Sequence, residues 1–150
     1  MTATPPLLLH LAEHTGIAPL TLDDSDCCAL RFGEELTVTF RWLPEDERLV
    51  MFTLLDALPL EGRAARLTEL LRANFFWKGT GDATLSIDNS EPPRVLLAQR
   101  IEARHTTAVE FVQAMEWFVD SAGTWRQQLR GRRPEPTVPA SSLPVMPSFA

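Results

Sequence analysis

His10 and His14 stand one helical turn apart, a spacing at which two imidazoles could share a metal ion. No Cys, Asp or Glu ligand set completes the pair, so both read as polar-face residues of a short helix. Cys27 and Cys28 are adjacent, and His105 is a base that could reach them in space. A thiol nucleophile also needs an orienting partner, and no local motif surrounds either cysteine. Asp23, Asp24 and Asp26 lack the spacing, the glycine and the final glutamate of a calcium loop, and read as a polar turn. Lys78-Gly79-Thr80-Gly81-Asp82 has the glycines of a phosphate loop in reversed context. A helix pattern precedes it and a strand pattern follows, the opposite of a Walker loop. These glycines read instead as a sharp turn. The chain is expected to hold something and not to transform it: no enzyme, no cofactor, no metal.

Size and charge narrow the partners. At 150 residues with 45% hydrophobic and 23% charged side chains, the chain is one domain able to bury a core. A net charge of -6 disfavours nucleic acid and should steer a basic or neutral segment toward the protein. Arg126, Arg130, Arg132 and Arg133 read as cations at a helix C-terminus. The vicinal cysteines suggest no disulfide framework, and the start lacks the basic region of a signal peptide. Leu7-Leu8-Leu9 is too short to span a bilayer. The expected location is therefore the cytoplasm, with no membrane insertion.

Periodicity supplies the elements. Leu7, Leu8, Leu11 and Ala12 form one face of a helix over 7–15, ended by Gly16. Cys28, Leu30 and Phe32 alternate with Cys27, Ala29 and Arg31 in one strand, and Leu36, Val38, Phe40 and Trp42 alternate with Thr37, Thr39 and Arg41 in a second, half-buried strand. Residues 49–55 are uniformly apolar, which suits a strand covered on both faces or covered on one by a partner. With tight links, the three strands make an antiparallel meander. A helix over 63–74 follows, with Ala64, Leu67, Leu70, Leu71 and Asn74 on one side. Phe75-Phe76-Trp77 comes next. Three adjacent large aromatics cannot all enter one small core; they face another subunit or wrap an edge of the monomer. Strands over 83–88 and 94–101 follow, and Leu96 and Ala98 hint at a second buried surface on the last strand. Thr107 and Glu110 form a capping box. The helix it opens runs to about Leu129, with Phe111, Ala114, Met115, Phe118, Ala122, Trp125 and Leu129 inward, and Val112 and Trp117 elsewhere. Five prolines after Gly131 predict an extended or disordered tail over 131–150, outside a domain of residues 1–130. The fold class is α+β, in the order α-β-β-β-α-β-β-α.

Several of these pieces together resemble the class I type III secretion chaperones, the small acidic family that includes the chaperone of the translocated intimin receptor. They are Cys28-Ala-Leu-Arg-Phe-Gly33 with Leu36-Thr-Val-Thr-Phe40, Leu67-Thr-Glu-Leu-Leu-Arg-Ala-Asn-Phe75, and Gly79-Thr-Gly-Asp-Ala-Thr-Leu-Ser-Ile87. Strand 94–100 and helix 111–118 complete the pattern, which covers about residues 7–130. The resemblance implies three helices on a five-stranded antiparallel sheet, paired as a homodimer. It implies a bacterial cytosolic chaperone that holds the N-terminal region of a secreted effector extended, keeps it secretion-competent and delivers it to an export ATPase. Carried onto this chain, the dimer seam falls on Leu67, Leu70, Leu71, Phe75, Phe76 and Trp77, joined by Leu85, Leu96 and Ala98. The effector surface falls on Leu8, Leu11, Leu30, Leu36 and Val38, residues that could equally fill the monomer core. The aromatic run before the glycines is bulkier than usual for the family, and the proline-rich tail is not part of its shared core. A protein-interaction module of the same fold acting outside secretion is the alternative.

Overall fold

The computed structural model describes residues 2–131; the proline-rich stretch from 132 onward lies outside the described residues. The element order is α1 (Pro6–Thr15), β1 (Cys27–Phe32), β2 (Leu36–Leu43), β3 (Arg48–Ala57), α2 (Arg63–Ala73), β4 (Thr84–Ile87), β5 (Arg94–Glu102) and α3 (Ala108–Leu129). The five strands form one antiparallel sheet in the order β1-β2-β3-β5-β4. The α+β plan and its element order are those expected from periodicity. Because β5 inserts between β3 and β4, the edges of the sheet are β1 and β4.

Local chemistry sets the helix ends. Pro6 opens α1, where a missing N–H costs nothing and the fixed φ already suits a helix. Gly16 closes it in the left-handed region at φ 70°. At α3 the capping box is complete: the Glu110 N–H donates to Thr107 Oγ1 at 3.2 Å, and the Thr107 N–H donates to Glu110 Oε2 at 2.9 Å.

One face of the sheet is packed by α1 and α3. Val38, Phe40, Leu49, Met51, Val95 and Leu97 are wholly buried there, against Leu8 and Leu11 of α1 and Phe111, Met115 and Phe118 of α3. Phe40 and Phe111 meet edge to face with ring centroids 6.3 Å apart. Val112, expected off the inward face, is buried at 8% exposure. It lies one position along from Phe111, so the buried stripe of α3 is wider than a strict inward line. Ala114 is half-buried. Trp117 is 59% exposed, off the inward face as expected. The end of α3 is tied to the sheet by charge. Arg126 donates to the Glu35 carbonyl, and Arg130 pairs with Glu35 at 2.9 Å and Asp56 at 3.1 Å. These arginines fasten the β1–β2 turn and the end of β3 to α3. Arg132 and Arg133 lie outside the described residues.

Candidate binding surfaces

The two cysteines and Asp23 are occupied with structure. The Cys28 thiol is pushed up to about 11, first by burial and then by Cys27 and Asp23, which keeps it protonated and non-nucleophilic. Burial and Asp23 also push the Cys27 thiol up. The Asp23 carboxylate accepts from the Ser25 N–H at 2.8 Å and the Cys27 N–H at 3.0 Å, an Asx-type turn that starts β1. Among the described residues, no group of three or more His, Cys, Asp or Glu could hold a metal ion. No helix among them is long and apolar enough to cross a membrane.

The glycine loop cannot cradle a phosphate, because its N–H groups are used internally. Gly79 donates to the Ala73 carbonyl at 3.1 Å, Gly81 to Trp77 at 2.9 Å and Thr80 to Trp77 at 3.3 Å. Its carbonyls are held by α3: Trp125 Nε1 donates to Gly79 O at 2.9 Å and Ser121 Oγ to Thr80 O at 3.2 Å. Gly79 is required by close approach, since a Cβ there would sit 2.9 Å from Ala73 Cα. The loop is thus a clasp between α2 and α3.

That clasp holds a strained aromatic knuckle. Phe75–Trp77 form a 3₁₀ turn in which Phe76 and Trp77 take φ of 50° and 55°, costly for bulky L-residues. The strain persists because the flanks are over-determined by Asn74 on one side and Gly79–Thr80 on the other. The three rings remain 47%, 53% and 50% exposed. Beside them on α2, Leu71 is 69% exposed and Leu67 half-buried, whereas Leu70 is buried at 4% inside the chain itself.

A second apolar surface lies on the sheet face opposite α1 and α3. The register sets Phe52 beside Ala98 and Leu54 beside Leu96, with Val50 one rung further along β3. Val50, Phe52, Leu96 and Ala98 are half-buried, and Leu54 is 42% exposed. The expected second surface at Leu96 and Ala98 therefore continues onto β3. The uniform apolarity of residues 49–55 was the available signal for it. The strand-to-strand register needed to join the two halves was not available from sequence.

The two sheet edges differ. At β4, the Asn74 side chain accepts from the Leu85 N–H at 2.8 Å and donates to the Leu85 carbonyl at 2.9 Å, mimicking a neighbouring strand. Leu85 itself is buried at 4%. At β1, the Trp42 N–H bonds the Asp26 carbonyl, which fixes the parity of the β1–β2 ladder. Cys27, Ala29 and Arg31 therefore direct their backbone groups away from β2. Those of Cys27 are taken by Asp23, its carbonyl by the Asp23 N–H at 2.8 Å. Among the described residues, nothing pairs with the outward backbone groups of Ala29 and Arg31, both exposed, and the edge there is open.

Of the residues assigned by resemblance to an effector surface, Leu8, Leu11 and Val38 have no exposed area and Leu36 only 8%. They hold the sheet to α1 and α3, and a periodic apolar face cannot by itself tell core from groove. Leu30 is half-buried at the open edge. Its neighbour on the same face, Phe32, lines a mixed groove with Leu36, Glu34, Glu35, Arg126 and Arg130.

Among solved structures, the chain is similar to the crystal structure of the ExsC–ExsE complex, with 27% identity and a TM-score of 0.69 over 82% of this chain and 90% of that one. The HopA1–SchA chaperone–effector complex shares the fold at 18% identity and a TM-score of 0.65, over 81% and 91% of the two chains. So does the Yersinia pestis type III secretion chaperone SycH bound to a fragment of YscM2, at 21% identity and a TM-score of 0.64, over 79% and 95%. No curated protein sequence matches the chain. A sequence model of the Tir chaperone protein (CesT) family matches residues 6–126, and the chain belongs to that family.

Proposed function

We propose that the chain is a bacterial cytosolic type III secretion chaperone that pairs with a second copy of itself and holds the N-terminal segment of an effector in extended form. Family membership gives the class, and the unequal sheet edges carry the mechanism. An extended segment can add to β1 through the open backbone groups of Ala29 and Arg31, while its side chains meet Leu30 and Phe32. Ordering such a segment costs entropy, so the added strand is only part of a broad contact.

The apolar surfaces away from β1 support the homodimer. Leu67, Leu71, Phe75, Phe76 and Trp77 form one half of the seam; Leu96 and Ala98, extended by Val50, Phe52 and Leu54, form the other. A two-fold axis lets each half of one copy meet the other half of its mate. A stable seam of this kind buries more than about 1,000 Å². Leu70 and Leu85 support it from inside the monomer. The loaded dimer is then delivered to the export ATPase, without nucleotide chemistry of its own.

The test is coexpression with effectors encoded in the same genome, followed by native mass measurement and limited proteolysis. A complex of two chaperone chains and one effector that protects an N-terminal effector segment supports the reading. A dimer that captures no effector points to an interaction module acting outside secretion. A monomer removes the seam.

A further inference from the structure

We propose that the segment recognised at β1 carries an acidic side chain facing Arg31 and apolar side chains on the opposite face, although the chaperone as a whole is acidic. The inference rests on the effector reading above and specifies the chemistry of that partner.

A strand added beside β1 places successive side chains on opposite faces of the sheet. On the helix-packed face its neighbours are Cys28, Leu30 and Phe32, buried or half-buried. That face takes apolar side chains. On the other face the edge presents Cys27, Ala29 and Arg31, backed across the ladder by Arg41, Thr39 and Thr37. Neither strand shows a carboxylate there. Arg31 donates to the Glu34 backbone carbonyl at 2.6 Å and has no carboxylate partner among the described residues. Acids flank the strand: Asp23 and Asp26 before it, close enough to add to burial in pushing the Cys27 thiol up, and Glu34 and Glu35 after it, so only the Arg31 position favours an acidic neighbour. Glu35 is already paired with Arg130.

The net charge of -6 favours a cationic partner at long range. At physiological ionic strength, however, charges are screened beyond about 8 Å. A side chain in the added strand lies about 5 Å from its cross-strand neighbour, so Arg31 governs the bound state. Net charge acts on approach and the facing residue acts on affinity.

Short fluorescein-labelled peptides that alternate leucine with serine, with one serine at each position in turn replaced by glutamate or lysine, test this by anisotropy against the full chain at physiological salt. The best glutamate peptide is expected to bind more tightly than the all-serine peptide by about threefold, and the matching lysine peptide more weakly. Arg31→Glu should reverse the order, and Arg31→Gln should level it. Lysine binding as well as glutamate to the unaltered chain, or an order unchanged in both variants, overturns the inference while leaving edge recognition intact. If no peptide binds, recognition at β1 itself fails, and the inference with it. The coexpression experiment still judges the chaperone reading in that case.

Discussion

At β4 the polypeptide supplies its own neighbour: an asparagine eleven positions upstream bonds both backbone groups of Leu85 and stands where another strand would lie. At β1 nothing in the described chain does the same for Ala29 and Arg31, and only Cys27 is tied off. Exposed strand edges invite unwanted pairing, and proteins commonly blunt them. This chain blunts one edge and leaves the other open, which assigns the edges different work. The closed edge lies beside the surfaces proposed for the dimer, where a stray strand would disturb the seam. The open edge faces away from them.

The largest expected effect comes from opening the closed edge. Asn74→Ala removes two hydrogen bonds and leaves the Leu85 groups to find water at a crowded edge. Each bond contributes about 1 kcal/mol net, and more where the partner stays unsatisfied. A loss of about 2–3 kcal/mol in denaturant unfolding is expected, together with loss of amide-exchange protection at Leu85. Asn74→Asp keeps the acceptor and loses the donor, and should fall between the two. If Asn74→Ala costs nothing, the clamp does not hold the edge.

Gly79→Ala attacks the same edge from behind. The new methyl meets Ala73 Cα at 2.9 Å, so the clasp between α2 and α3 must shift. Overpacking of this kind costs about 1–3 kcal/mol. The shift should also displace the aromatic knuckle and weaken self-association more than stability alone explains, as read by sedimentation over a range of concentrations.

Closing the open edge is the converse experiment. Proline tolerates an edge position whose N–H faces solvent, so Ala29→Pro should change stability by less than about 1 kcal/mol. It removes one donor that an added strand would use. Binding of an effector segment should weaken about tenfold, equivalent to about 1.4 kcal/mol. Equal binding by the proline variant would show that β1 is not the docking edge.

What was legible in the sequence divides along the same line. Alternation located four strands, an apolar run located β3, and Thr107 with Glu110 marked the start of α3, because those signals are local. The clamp was not legible, since Asn74 looked like one more residue on a helix face and its partner lies across a loop. Val50, Phe52 and Leu54 were visible as an overly apolar strand. Their union with Leu96 and Ala98 required the insertion of β5 between β3 and β4. Leu8, Leu11, Leu36 and Val38 lie buried in the monomer for a related reason. Periodicity gives the apolar face of an element, but the helices of the chain itself decide whether that face stays open.

The smallest predicted effect again separates the two edges, this time by pH. The β4–β5 turn is fastened by Asp88, whose carboxylate accepts from the Arg94 N–H at 2.8 Å, the Ser90 N–H at 3.0 Å and the Arg94 guanidinium at 2.7 Å. These bonds, the Arg94 backbone first, hold the carboxyl well below the usual carboxylate range despite some opposing desolvation. A carboxylate depressed in the folded state stabilises the fold in full above its unfolded pKa, near 3.9, and loses that contribution as pH falls toward the folded value. Below about pH 4, exchange protection around β4 should therefore decline in the native chain. In Asp88→Asn the decline attributable to this group should be absent, because the amide does not titrate. Equal acid sensitivity at β4 in the two proteins would place the titrating group elsewhere and leave Asn74 as the principal fastening of that edge.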